Sequence, residues 1–237
     1  MTANFINMFT VILGSIIGML IKKGIPERIS SAVMTGIGVC TVYIGYTGSM
    51  CGENVLITIA SMILGSILGT LIDIDKRIET VGTKLEERFS KNSEKGIVAK
   101  GFVTASLLFC VGSMTITGAL QAGISGKTDL IITKSMLDLM SSMMLSSSLG
   151  LGVLLSSVFV LVFQGALTLT AEFIAPFLTT GAINELNCAG SLITLMLGFN
   201  LMGISKIKVA NYLPAIIIAP VIYNLIPWVE KIIEYVF

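Results

Sequence analysis

The residues from Met1 to Ile21, MTANFINMFTVILGSIIGMLI, contain no charged side chain, and several further windows of 17 to 22 residues lack charge or nearly so. At 1.5 Å per residue, each is long enough to cross a hydrocarbon core of about 30 Å as a helix. Backbone groups in lipid need partners within the protein, and the alternating pattern of barrel strands is missing, so these windows predict helices. Composition agrees: 54% of the 237 residues are hydrophobic and only 12% charged, with a mean hydropathy of +0.93. The expected fold is all-α, a polytopic transmembrane helical bundle forming a single integral membrane domain over 1–237.

Apolar windows between charged or Pro/Gly-rich breaks predict about eight spans, near 4–21, 29–46, 54–72, 100–119, 130–148, 152–175, 186–204 and 212–229. The first positive charges, Lys22 and Lys23, follow the first apolar run. That order is wrong for a cleaved signal peptide and fits a retained span with its N-terminus outside. From that start, twelve of the fifteen basic residues fall on the inner side, as the positive-inside rule requires. The location expected is a cell (plasma) membrane, multi-pass, with both termini outside. The block 130–175 holds either two crossings or one crossing plus a re-entrant hairpin; two crossings keep Lys206 and Lys208 inside. Trp228 and Tyr212 suit the two interfacial belts.

The one substantially polar segment, DIDKRIETVGTKLEERFSKNSEKG (73–96), has Ile74, Ile78, Val81 and Leu85 at amphipathic-helix spacing. It predicts a cytoplasmic helix over 74–89, either a solvated linker or a regulatory, lipid-sensing element. LGSIIGMLI (13–21) and LGSILGTLI (64–72) match at seven of nine positions and carry G-x-x-x-G at Gly14/Gly18 and Gly65/Gly69. Small residues one turn apart predict close helix packing, within the bundle or across the interface of a homo-oligomer such as a dimer. CVGSM (110–114) and CAGSL (188–192) form a second, shorter pair on spans of opposite direction.

Histidine is absent, which removes the commonest general base and transition-metal ligand. The four cysteines are scattered without metal or redox spacing. No Walker-type phosphate loop occurs, and a net charge of +1 gives no reason to expect nucleic acid. No catalytic residue, metal or cofactor is expected, and the chain does not read as an enzyme. An aspartyl protease needs two intramembrane aspartates where only one is clearly available, and a Ser–His arrangement lacks its base.

Polar residues inside the apolar windows are more informative. On a helix over 130–148, Lys134, Ser135, Asp138, Ser141, Ser142, Ser146 and Ser148 share an arc of roughly 160°. The next span carries Ser157, Gln164, Thr168 and Glu172 at i+7, i+4 and i+4. Gln121, Asn200 and Glu185 are further polar residues at apolar depth or near span ends. A charged side chain at mid-membrane costs about 2.5–3.5 kcal/mol on insertion scales. Lys134, about 6 Å from its helix end, is in snorkelling range; Asp138, about 12 Å in, is not. Two readings stay open: an internal Lys134–Asp138 ion pair that satisfies itself, or a transport path or ion/solute site made by Asp138, Lys134, Ser141, Ser142, Gln164, Thr168, Gln121 and Asn200. Glu172 and Glu185 are interfacial or act as a proton relay.

The stretches GSMTITGALQAG (112–123), KSMLD (134–138), FQGALTL (163–169), GFNLMGI (198–204) and LPAIIIAP (213–220), in this order and spacing, resemble the YqgA-like family of bacterial inner-membrane proteins, domain of unknown function 554. The resemblance covers essentially the whole chain. It implies a polytopic helical protein of the bacterial plasma membrane and supplies no substrate or site residue. The function expected is a transporter or channel for a small ion or polar solute, with the lipid bilayer and that solute as partners. The alternative is a non-transporting scaffold or sensor assembled through the G-x-x-x-G seams.

Overall fold

The computed structural model describes residues 1–22, 27–89 and 96–236, with the side chains of Lys22, Glu27, Ser30, Phe89, Ser113 and 227–236 left out of the description. Lys23, Lys91, Lys95 and the side chains of Trp228 and Lys231, used above for orientation and interfacial placement, therefore lie outside it. Ten α-helices make up the described chain: α1 (Thr2–Lys22), α2 (Glu27–Ser49), α3 (Val55–Ile72), α4 (Ile74–Phe89), α5 (Ile97–Val111), α6 (Ser113–Ser125), α7 (Asp129–Leu149), α8 (Leu151–Ile174), α9 (Thr180–Leu201) and α10 (Pro214–Val236).

Five of the apolar stretches, Thr2–Ile21, Val55–Ile72, Leu151–Phe177, Thr180–Leu201 and Val209–Ile226, are long and apolar enough to cross a membrane, and α5–α6 adds a sixth as a pair bent by 55°. The difference from the expected eight lies in α2 and α7. Helix α2 opens with Glu27-Arg28 and is rich in Gly, Ser and Thr, while α7 carries Asp129, Lys134, Asp138 and a run of serines. Polar residues dilute their hydropathy although both are of spanning length.

The outer surface is apolar: Leu20, Leu71, Val162 and Phe173 are 67, 78, 64 and 81% exposed, while Asn4, Asn7, Gln164 and Glu185 are fully buried. That inversion is the pattern of a bundle solvated by lipid.

Small residues fix how the helices run. A Cβ on Gly14 would strike Ser142 and Leu139, and one on Gly18 would strike Met143 and Ser146. Both registers advance together, so α1 and α7 are parallel. Gly45 meets Leu195 and Ser191 whereas Gly38 meets Gly198 and Met202, so α2 and α9 are antiparallel. Gly65 lies on Ala215 and Gly69 on Asn211, which makes α3 antiparallel to α10. The two copies of the LGSI motif thus serve parallel and antiparallel seams, and all four of their glycines pack within the one chain. Helices α1, α5, α6, α7 and α8 form one side of the bundle, and α2, α3, α9 and α10 the other.

The two sides meet at the α5–α6 break. Gly112 (φ −59°, ψ 141°) leaves the helical region, and the Thr115 hydroxyl donates to the freed Phe109 carbonyl at 2.7 Å. A Cβ at Gly190 would lie 2.8 Å from the Val111 carbonyl, so CVGSM and CAGSL touch each other there. Helix α4 packs on α5, with Gly82 against Ala99. Its Glu86 carboxylate accepts from the backbone of Gly96 (2.6 Å) and Ala99 (3.1 Å), satisfying free N–H groups at the start of α5. The buried stripe of α4 runs through Gly82 and Glu86, and Val81 is exposed: close backbone approach and a capping carboxylate outweigh the apolar residue there.

Candidate functional site

One face of α1 presents Asn4, Asn7, Val11, Gly14, Ser15 and Gly18, spaced so that each lies about one turn beyond the last or beside it. All are buried. The glycines bring α7 close, and the asparagines reach α8: Asn4 Nδ2 donates to Thr168 Oγ1 at 3.0 Å, and Asn7 Nδ2 donates to Gln164 Oε1 at 2.9 Å. The Thr168 hydroxyl donates to the Gln164 carbonyl one turn back, at 2.9 Å.

On α7, Lys134 and Asp138 form an ion pair, 5 and 6% exposed. The Lys134 ammonium lies 5.8 Å from the centroid of the Phe109 ring, an attractive cation–π placement. Asn7 also faces the Asp138 carboxylate. The pair therefore sits against α1 and beside the last turn of α5, next to the helix break. Removing one partner of such a buried pair costs about 3–5 kcal/mol because the other charge is left uncompensated.

The layer is not fully satisfied. Among the described residues, the buried side-chain atoms without a hydrogen-bond partner are Asn4 Oδ1, Asn7 Oδ1, Gln164 Nε2 and the hydroxyls of Ser15 and Ser106. Three of the five belong to the α1–α8 amide layer. Buried polar atoms normally find partners, so this cluster is where a polar ligand would gain most. Toward the other end of the bundle the layer is closed by Val11, Phe109, Leu145 and Val160, each 0–1% exposed, within one apolar cluster.

Beyond that plug, at the end where α4 lies, a cavity of about 410 Å³ is lined by Asp75, Lys100, Thr104, Leu107, Asn200 and Lys206 among others. Its Asp75 carboxyl is pushed up from the ordinary value by burial, against the pull of the Ala210 N–H and Lys208.

The structure gathers Lys134, Asp138, Gln164 and Thr168 through α1. Ser142 is buried on the same face of α7, its hydroxyl donating to the Leu139 carbonyl at 3.0 Å, and Ser141 is half-buried. Other candidates fall elsewhere. Gln121 and Glu172 are exposed. Asn200 lies at the cavity end, where its Oδ1 accepts from Ser205 (2.7 Å) and the Ile207 N–H (2.9 Å) and its Nδ2 donates to the Ile207 carbonyl (2.7 Å); it shapes the α9–α10 connection. Glu185 is fully buried and accepts from the backbone of Glu53 (2.8 Å) and Asn54 (2.7 Å) and from Thr58 Oγ1 (3.3 Å), at the start of α3. Sequence reasoning missed Asn4 and Asn7. Their signal was present: two amides three residues apart, in phase with Gly14 and Gly18.

The family profile described as "Protein of unknown function (DUF554)" matches residues 2–224. The chain belongs to this family. It is 32% identical over 226 residues to the "Uncharacterized membrane protein YdfK" of Bacillus subtilis (strain 168), covering 94% of this chain and 95% of that protein. It is 29% identical over 218 residues to the "Uncharacterized protein YqgA" of Escherichia coli (strain K12), covering 91 and 93%. No solved structure matches. With its five to six apolar helices of spanning length, this member of the family is a membrane protein of unknown function.

Proposed function

We propose that the chain is a transporter or channel for a small ion or polar solute, multi-pass in the plasma membrane, with the layer made by Asn4, Asn7, Lys134, Asp138, Gln164 and Thr168 as the solute's site. The observation that carries this reading is a buried ion pair set beside amides with unpartnered atoms, next to a broken helix. Intramembrane charges and discontinuous helices mark binding sites in transport proteins because a break frees backbone groups at depth.

In this reading α2 and α7 cross as well, sheltered by α9 and α1, and with α5–α6 as one span the crossings number eight. The helix directions support it, since each connection then joins neighbouring ends. Both termini lie on one side, taken as the outside from the basic residues of α4 and the α9–α10 connection. The cavity at Asn200 becomes the inner vestibule, and the Val11–Phe109–Leu145–Val160 plug separates it from the layer as an apolar barrier to water and ions. Catalysis has no part in this reading.

The test is flux through liposomes reconstituted with the purified chain, over a panel of ions and small polar solutes. Asp138→Asn should reduce the flux while helical content and elution volume stay unchanged. Undiminished flux in Asp138→Asn, Gln164→Ala and their combination would remove the layer from the path. A scaffold assembled through glycine seams finds less support, because Gly14, Gly18, Gly65 and Gly69 are occupied inside one chain.

A further inference from the structure

We propose that the groove between α8 and α10 binds an anionic phospholipid, one acyl chain lying in the groove and the phosphate held by Arg77 and Lys208 at the end where α4 begins. The proposal stands apart from the transport reading and needs only the membrane location.

The groove comes from how the helices pack. Helix α8 rests on α6 and α10 on α9, and α8 and α10 hardly touch one another. The gap between them is a cavity of about 520 Å³. Phe163 and Leu167 of α8 form one wall, Ile217 and Pro220 of α10 the other. Its floor includes Leu120 of α6 and Leu186 of α9, 4 and 7% exposed, whereas Ile217 on the rim is 70% exposed. The gap therefore opens sideways, toward lipid. Lengthwise it runs from Ile74 and Leu213 at the α4 end to Ile174 and Leu178 near the opposite end of α8.

All the lining side chains are apolar, and this decides the occupant. A buried water needs about two to four hydrogen bonds, which these side chains do not offer. An empty void would forfeit contacts on every wall. An apolar space open to the bilayer is filled by the apolar chain already at hand, that of a lipid. The same lining stops a headgroup from travelling along the groove, because a phosphate leaving the surface would meet no side-chain donor or cation. The lipid is therefore held at one end and not carried across.

Charge chooses the end and the kind of lipid. Cations are anchored on either side of Ile74. Arg77 Nε donates to the Ile72 carbonyl at 3.0 Å, which fixes the guanidinium and leaves its remaining N–H groups for an anion. Lys208 Nζ is 3.9 Å from Asp73 Oδ1, with its side chain 65% exposed. Lys76 is exposed in the same turn as Arg77. These cations outnumber Asp73, since Asp75 lines the separate cavity beside Asn200. Guanidinium and ammonium donors suit a phosphate, and basic pockets between spans hold anionic headgroups. The opposite end is the reverse: residues 170–186 contain no Lys or Arg and include Glu172 and Glu185.

The experiment uses the purified full chain in a mild detergent. Phosphatidylglycerol in mixed micelles should raise the melting temperature in a saturable way, and phosphatidylcholine with the same chains should need concentrations about tenfold higher or more. Arg77→Ala with Lys208→Ala, both at the surface, should remove that preference, about fivefold for each cation, and leave the response to phosphatidylcholine. Leu167→Trp, which fills the groove, should abolish the response to both lipids. If that variant does not fold, phosphatidylglycerol with a diazirine in its acyl chain gives the second readout. Its cross-links should concentrate on α8 and α10 at the groove. Equal responses to the two phospholipids, or a preference unchanged in the Arg77/Lys208 variant, would overturn the proposal. So would a rise reproduced by glycerol 3-phosphate alone, which would make the site one for a free anion. Cross-links spread evenly over α1, α3, α8 and α10 would also overturn it, leaving only the ordinary lipid surround.

Discussion

Asn7 of α1 donates to Gln164 of α8 at 2.9 Å while facing Asp138 of α7, so a single residue links the polar stripes of two successive helices. Asn7→Leu should leave Gln164 buried and unpaired, at a cost of about 1–3 kcal/mol. Asn7→Leu combined with Gln164→Leu should be markedly less damaging than the two effects added, because no lone amide remains. Thermal unfolding of the four proteins of this cycle in detergent measures the coupling directly. Strict additivity would mean that the two amides do not depend on each other.

Glu185 lies in the first turns of α9, but its carboxylate serves α3, accepting from Glu53 and Asn54 N–H where the positive end of that helix begins. Glu185→Ala should cost roughly 2–3 kcal/mol, the scale of charge-assisted hydrogen bonds left unmade. Glu185→Gln retains one acceptor and the packing, so it should cost about half as much. Hydrogen exchange at the Glu53 and Asn54 amides is the specific readout: it should rise sharply in the alanine variant and modestly in the glutamine one. A residue used as a proton relay would give the opposite order in a flux assay, with glutamine as harmful as alanine.

How far the fold could be read from sequence varied with the kind of signal. Apolar length identified the helices that stand in lipid, and the serine periodicity of 130–148 identified the buried face of α7, because both depend on a residue's own chemistry repeated along one helix. The α5–α6 break was less legible. Gly112 is one glycine among many, and what makes it a break is the reception of the Phe109 carbonyl by Thr115 and of Val111 by Gly190, which are contacts and not a local pattern. Glu185 illustrates the same limit: the sequence reads it as interfacial or a proton relay, and the start of α3 that its carboxylate caps belongs to a distant part of the chain. Asn4 and Asn7 sat in plain sight within the first apolar window. Their meaning depended on knowing that the glycine face of α1 turns toward α7 and α8.

The α1–α7 seam makes a prediction that separates packing within the chain from assembly between chains. A side chain at Gly18 would strike the Met143 carbonyl and the Ser146 hydroxyl, backbone and a short side chain that cannot move aside cheaply. Gly18→Leu should therefore lower the melting temperature by an amount independent of protein concentration, with Gly18→Ala giving a smaller drop of about 1–3 kcal/mol in stability. A seam between two copies would instead make the effect disappear on dilution. The measurement is a pair of melting curves for each variant at widely different protein concentrations, with light scattering to fix the oligomeric state.

Asp75 supplies the pH prediction, since it lies on α4, outside the spanning helices. Burial raises its folded-state pKa above the ordinary carboxylate value, and the Ala210 N–H and Lys208 offset only part of that. A carboxyl raised on folding binds its proton more tightly in the folded chain, so the folded state gains relative to the unfolded one as pH falls through the window between the raised and ordinary values. At neutral pH the charge is a burden on stability. Asp75→Asn keeps an acceptor for the Ala210 N–H and removes the charge. The variant should thus be slightly more stable than the native chain at pH 7, and the difference should shrink as the pH approaches about 4. The effect is small because the residue is half-buried and solvent screens it. Melting temperatures of the two proteins across that range test the sign: an advantage for Asn that grows toward acid would mean that Lys208 and Ala210 outweigh burial at this position.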